Sequence, residues 1–239
     1  MIELQHVTKI FGNFVAVNDL TLTISPGEFY GFLGPNGAGK TTTIKMMTGL
    51  FTPTSGLIRI NGFDLQHEPE KAKFHIGYIP DQPFLYEKLT GREFLHFIAG
   101  LYKVEHTKAS EYLAELIDML EIGSWIDRRT ELYSQGMRQR IAITAALLHT
   151  PQVLIIDEPM VGLDAKSTYT VKQVLRQQSE KGVAIFMSTH SLPVAEELCH
   201  RIGIIKDGKL VFEDTVESFR RVDEKYNGNF ESLYLSLTS

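Results

Sequence analysis

The period of apolar and polar positions changes along the chain, and each change marks a different kind of element. From Ile2 to Leu33 it is strand-like: Leu20, Leu22 and Ile24 alternate with polar residues, Ser25-Pro26-Gly27 makes a turn, and Phe29 to Leu33 forms a further strand. A helix is expected from about Thr42 to Leu50, ended by Thr52-Pro53-Thr54-Ser55-Gly56. Leu57 to Ile60 followed by Asn61-Gly62 reads as another strand and turn, completing a β-rich lobe. Between about Leu89 and Ile126 the period becomes helical. Phe94, Phe97, Ile98 and Leu101 form one stripe there, and Leu113, Leu116, Ile117 and Leu120 another, as expected of an inserted helical lobe.

The second half alternates. A helix from Gly136 to Thr150 is stopped by Pro151, then come a buried strand Val153 to Ile156, a helix near Lys166 to Lys181 and a strand Val183 to Met187. Strands alternating with helices imply a parallel sheet covered on both faces, an α/β arrangement. Ile202 to Ile205 and Leu210 to Phe212 flank Asp207-Gly208 as a hairpin, and from about residue 223 to 239 a polar tail carries no clear pattern. The expectation is one domain over residues 1–239, with the helical lobe inserted at about 89–130.

Composition narrows the class of partner. A formal net charge of −5, with 22% charged and 43% hydrophobic residues, describes a globular chain without the basic surface that attracts nucleic acid or anionic lipid. The longest apolar stretches, such as Ile141 to Leu148, fall far short of the ~20 residues needed to span a bilayer. The single cysteine, Cys199, sits in a helical stretch and is expected to be inert; with no leader visible, a reducing cytosol is the default.

Two segments carry chemistry. Gly34-Pro35-Asn36-Gly37-Ala38-Gly39-Lys40-Thr41-Thr42 fits G-x-x-x-x-G-K-[ST], between an apolar strand and a helix. Such a loop turns successive backbone N–H groups onto phosphate oxygens, places Lys40 at the β/γ-phosphates, and offers the Thr41 hydroxyl to Mg²⁺. The helix that follows adds its positive end. Val153 to Ile156 then leads into Asp157-Glu158, two carboxylates at the strand's carboxyl end, where ligands of parallel sheets bind. Asp157 suits Mg²⁺ through water, and Glu158 can orient and deprotonate a water that attacks the γ-phosphate.

In order, the phosphate loop, Tyr133-Ser134-Gln135-Gly136-Met137-Arg138-Gln139-Arg140, Val153 to Glu158 and Ser188-Thr189-His190 resemble the ATPase subunit of ABC transporters, over roughly Met1 to Phe219. The resemblance implies a P-loop NTPase fold with a mainly parallel sheet core, an N-terminal antiparallel β lobe and an inserted α-helical lobe. It implies ATP and Mg²⁺ as cofactors and ATP hydrolysis as the activity. The family's LSGGQ signature corresponds to YSQGM, with Gln135 for a glycine and Met137 for a glutamine. Ser134 and Gly136 then match the residues that close in trans on the γ-phosphate of a second copy in a head-to-tail dimer. Asp164 in Val161-Gly162-Leu163-Asp164 matches the D-loop carboxylate, and His190 the switch histidine that contacts the γ-phosphate. Phe11 occupies the place where the family stacks an aromatic on adenine, with Val17 flanking the base. Asp81 falls at the usual Q-loop glutamine position and Gln82 one step later; either could reach Mg²⁺ or the attacking water.

The resemblance further implies a cytoplasmic subunit, peripheral on the inner face of the cell membrane through a separately encoded permease. It would work as a homodimer or a paralogous heterodimer, without nucleic acid, most like bacterial exporters of drugs, lipids, peptides or polysaccharides. Two rivals stay open: a soluble ATPase of the same type, such as an iron–sulfur assembly factor, and a sensor that binds ATP without turnover.

Overall fold

The computed structural model describes residues 1–218 and 230–238. The N-terminal alternation becomes a hairpin of β1 (Ile2–Phe11) and β2 (Phe14–Ile24), followed after a turn by β3 (Phe29–Leu33) and α1 (Lys40–Met47). β4 (Ser55–Ile60) and β5 (Phe63–Asp64) complete an antiparallel sheet in the order β2-β1-β4-β5. Ile2 pairs with Ile24 on one side and Ile60 on the other, so all three point into one core.

Next come α2 (Pro69–Phe74) and β6 (Ile76–Ile79), which the sequence pattern left unassigned. The helical stretch resolves into α3 (Gly91–Leu101) and α4 (His106–Met119). A full capping box starts α3: Thr90 Oγ1 accepts from Glu93 N, and the Glu93 carboxylate accepts from Thr90 N. The chain continues through α5 (Gln135–Leu147), β7 (Val153–Asp157), α6 (Ala165–Glu180), β8 (Ala184–Ser188) and α7 (Leu192–Leu198), then the hairpin β9 (Arg201–Lys206) and β10 (Lys209–Thr215). The second sheet has the order β10-β9-β3-β8-β7-β6, parallel except for β10.

Successive residues of the central strands serve opposite faces, which makes three layers of structure with a core on either side of the parallel sheet. Tyr30, Phe32, Ile155 and Phe186 pack with α1 and with Ile2, Leu4 and Ile58 of the antiparallel sheet. Phe29, Leu33, Leu154, Ile156, Ile185 and Met187 pack with the helical side, including Leu113, Leu116 and Leu120 of α4. The apolar stripe of α3 is divided: Phe94 is buried, while Phe97 and Leu101 face outward.

Two expectations change. Of the tail, residues 223–229 and 239 lie outside the described residues, but 230–238 form α8 (Phe230–Thr238), whose Phe230 and Leu233 are buried in the helical-side core. Cys199 is not inside a helix: it terminates α7 in extended conformation, with its Sγ against Gly31, and burial pushes its thiol pKa up. Among the described residues no helix is long and apolar enough to cross a membrane.

Candidate functional site

β3, β6, β7 and β8 all end at the same edge, and the loops leaving β3, β6 and β7 line a cleft of about 370 Å³, while the loop after β8, with His190, lies off its wall. Asn36, Gly37, Gly39, Lys40, Thr41 and Thr42 line one side, Asp81, Asp157 and Glu158 the other, with Phe14 and Ala16 at its border. A roomier cleft of about 630 Å³ includes Gly27 and His200, but its rim carries Glu180, Glu196, Glu197 and Glu217 against Arg176, a poor setting for phosphate.

The phosphate loop is glycine-dependent at two crowded points. A Cβ on Gly34 would run into the Ile205 carbonyl oxygen, and one on Gly39, whose φ is +112°, would lie 2.6 Å from Ala16 O. Gly39 is followed directly by α1, which has no side-chain cap and no acidic residue in its first turn, so its leading amides are left for an anion. Lys40 is buried, and its Nζ donates to Gly34 O at 2.6 Å and Pro35 O at 3.0 Å. Burial lowers its pKa, opposed by the charges of Glu158 and Asp157. Ala38 is buried and, like Gly34 and Pro35, stays off the cleft wall.

Asp157 closes β7 beside Ser188, its register partner on β8, whose hydroxyl donates to Asp157 Oδ1. Burial raises the Asp157 pKa most; the Ser188 bond opposes it, Asp81 adds to it, and Lys40 and Lys45 lower it. Glu158 follows with φ +47°, an uncommon conformation for a residue with a side chain, and Thr189 Oγ1 donates to its Oε2 at 3.3 Å. His190 Nδ1 lies 2.8 Å from Glu158 Oε1. A carboxylate held between a hydroxyl and an imidazole over a phosphate loop can activate water against a bound γ-phosphate.

Other sequence-picked residues fall elsewhere. Asp81 reaches the cleft, whereas Gln82 is exposed and off its wall. Phe11 does not line the cleft either: it packs edge-on against Phe51 with centroids 5.5 Å apart, and Lys9 Nζ sits 4.9 Å over its ring. Val17 is fully buried beneath Gly39, so it supports the loop instead of presenting a face to a base. Ser134 caps α5, accepting from Met137 N at 3.3 Å, and Asp164 caps α6, accepting from Ser167 N at 2.7 Å. With Gly136 they lie outside their own chain's cleft, close to one another: a Cβ on Gly136 would come 2.9 Å from Gly162 O. Sequence reasoning missed Phe14 and Ala16 at the cleft and the bonding roles of Ser188 and Thr189, for which the only signal was their position after a buried strand.

A phosphate loop and an acidic pair on adjoining ends of a parallel sheet, with an antiparallel lobe and a helical lobe, define a P-loop ATPase. The sequence matches the family profile described as ABC transporter over residues 17–161. It is 37% identical over 211 residues to the linearmycin resistance ATP-binding protein LnrL of Bacillus subtilis (strain 168), covering 88% of this chain and 68% of that one. A solved ATP-binding subunit of an ABC transporter superposes with a TM-score of 0.94 at 32% identity over 100% of both chains. A second, an ATP-binding cassette captured as a post-hydrolysis dimer with ADP and Pi, gives 0.82 at 27% identity over 90% of this chain and 99% of that one. The chain therefore belongs to the ABC transporter family, as its ATP-binding, ATP-hydrolysing subunit. Against eight curated relatives it spans between 41% and 77% of their length.

Proposed function

We propose that the chain, acting as one cassette domain over residues 1–239, powers a separately encoded membrane permease of exporter type. The observation that carries this is an exposed apolar patch beside the cleft. Phe84 is 80% exposed, Leu101 60%, Tyr86 47% and Phe97 43%, and Tyr86 stacks edge-on with both Phe84 and Phe97. Behind them a groove of about 260 Å³ runs between the loop of Pro80 and Pro83 and two helices, α3 with Phe94 and Ile98 and α5 with Ala142 and Ala145. Such a surface is costly in water and calls for a partner. Because the same loop carries Asp81 into the nucleotide cleft, a permease segment seated in the groove would feel nucleotide capture and release. Export is supported by the resistance function printed in the name of LnrL.

In this reading Lys40 and the amides of residues 37–41 hold the phosphates, Glu158 takes the proton of the attacking water, and His190 orients Glu158. Ser134, Gly136 and Asp164, lying outside their own cleft, serve the site of a second copy, identical or paralogous. The oxygen-rich set of Thr41, Asp157 and Asp81 fits a hard divalent cation, and Mg²⁺ held there would neutralise charge developing on the phosphates. Placement favours Asp81 over Gln82 as the working Q-loop residue, and Phe14 joins Phe11 as a candidate contact for the nucleotide. The subunit would be peripheral on the cytoplasmic face of the membrane.

The experiment is affinity purification of the tagged chain from mild-detergent extracts of its host's membranes, beside a Phe84→Asp/Leu101→Asp variant. A polytopic membrane protein recovered in stoichiometric amount with the wild type and lost from the variant, while both bind ATP equally, supports the proposal. Recovery of soluble proteins only would move the reading to an ATPase not coupled to transport.

A further inference from the structure

We infer that Asp81 makes nucleotide capture by this chain conditional on a divalent cation, so that free ATP is held off and the metal complex is admitted; this rests on the phosphate-loop reading above. The geometry is set by the sheet. β6 and β7 are parallel neighbours with Ile79 paired to Ile156, so the chain leaving β6 places Asp81 next to the end of β7, where Asp157 and Glu158 sit. All three carboxylates line the cleft that must take a polyphosphate. The cation on its wall is Lys40, which is engaged with the Gly34 and Pro35 carbonyls, and Lys45 adds a charge that Asp157 feels. An amide at position 81 would leave two carboxylates there; the aspartate adds a third negative charge beside an anion.

The field of Asp81 reaches its neighbours. Tyr78, on the strand leading to it, has its phenol pushed up to about 12 by burial, by Asp157 and by Asp81. Beside Lys40 and the leading amides of α1, which attract phosphate, three carboxylates favour a triphosphate carrying a divalent ion over the same triphosphate unchelated, and Asp81, Asp157 and Thr41 offer that ion hard oxygen ligands. Asp81 thus sets the specificity of the site for the chelated nucleotide.

The test is calorimetric binding of a β,γ-imido ATP analogue to the full chain, in EDTA and in Mg²⁺, for wild type, Asp81→Asn and Asp81→Glu. The wild type should bind at least about thirtyfold more weakly in EDTA, and Asp81→Asn should narrow that ratio by about tenfold or more, mainly by gaining affinity in EDTA. Asp81→Glu, which keeps the charge, should keep the ratio; its retention excludes a mere packing effect of the asparagine. Equal ratios in wild type and Asp81→Asn would overturn the inference while leaving the phosphate-loop reading intact. Failure of the wild type to bind in either condition would overturn both.

Discussion

His190 and Glu158 hold one another across two neighbouring strand ends, with Nδ1 2.8 Å from Oε1; the histidine side chain is 69% exposed and the glutamate 17%. In the proposed reading, the exposed partner is the one that an arriving γ-phosphate would engage, and the shielded partner is the one that would hold water. A nucleotide drawing His190 toward its phosphate would then change what Glu158 is bonded to, which would tie occupancy of the cleft to the state of the proposed base.

Replacing His190 by alanine leaves Glu158 with the Thr189 hydroxyl as its remaining side-chain support at 3.3 Å. Phosphate release should fall by about a hundredfold, with nucleotide affinity within a few-fold of wild type. A steady-state phosphate assay beside calorimetry separates these effects, and unchanged turnover would remove His190 from the chemistry.

Gln135, where the signature departs from the family pattern, lies over Gly162: a Cβ there would meet Gln135 Cγ at 2.7 Å, and Gly162 has φ +77°. Gly162→Ala should therefore cost about 1–3 kcal/mol from overpacking and backbone strain. In Gln135→Gly the steric part should be relieved, giving a coupling of at least about 0.5 kcal/mol in a double-mutant cycle read by urea unfolding. Additive effects would mean that Gln135 at the start of α5 and the loop of Gly162 are not in contact in solution.

His149 stacks on Tyr102 with centroids 3.7 Å apart and bonds Ile76 O through Nε2 at 3.0 Å, while its buried Nδ1 has no partner. Burial lowers its pKa from 6.5 to about 4. Between those values the unfolded chain binds the proton and the folded chain does not, so stability is full above pH 6.5 and falls as pH drops toward 4. The loss is at most about 3 kcal/mol. Thermal melts of wild type and His149→Phe between pH 7 and pH 4 should show a shallower decline in the variant; parallel declines would refute the shift.

How much of this was legible in the sequence depends on how local each feature is. The phosphate loop and Asp157-Glu158 are contiguous, and their chemistry follows from residue order and from the apolar strands that precede them. β6 was not legible: its four residues, Ile-Gly-Tyr-Ile, are too few to set a period, and Gly77 is there because a side chain would meet the Ala146 carbonyl, a partner far along the chain. Asp81 and Gln82 could not be told apart because one residue of loop register decides which faces the cleft. That Val17 is buried under the loop while Phe11 stays exposed beside it was not legible for a related reason. The β1–β2 ladder shifts register between Val7 and Ile10, and Asp19 has φ +56°, so simple alternation does not say which side chains face the loop. Likewise α8, FESLYLSLT, places Phe230 and Leu233 in the helical-side core, but nine residues following a polar run are too few to set a clear period.

The account stands most directly on Glu158. The Glu158→Gln variant keeps the phosphate loop and the size of the side chain but cannot accept a proton. Its mass and nucleotide content, measured by light scattering and chromatography after incubation with ATP and Mg²⁺, should show a dimer retaining unhydrolysed ATP, with phosphate release reduced about a hundredfold or more. A variant that releases phosphate at the wild-type rate would contradict the assignment of the catalytic base and the hydrolytic cycle built on it.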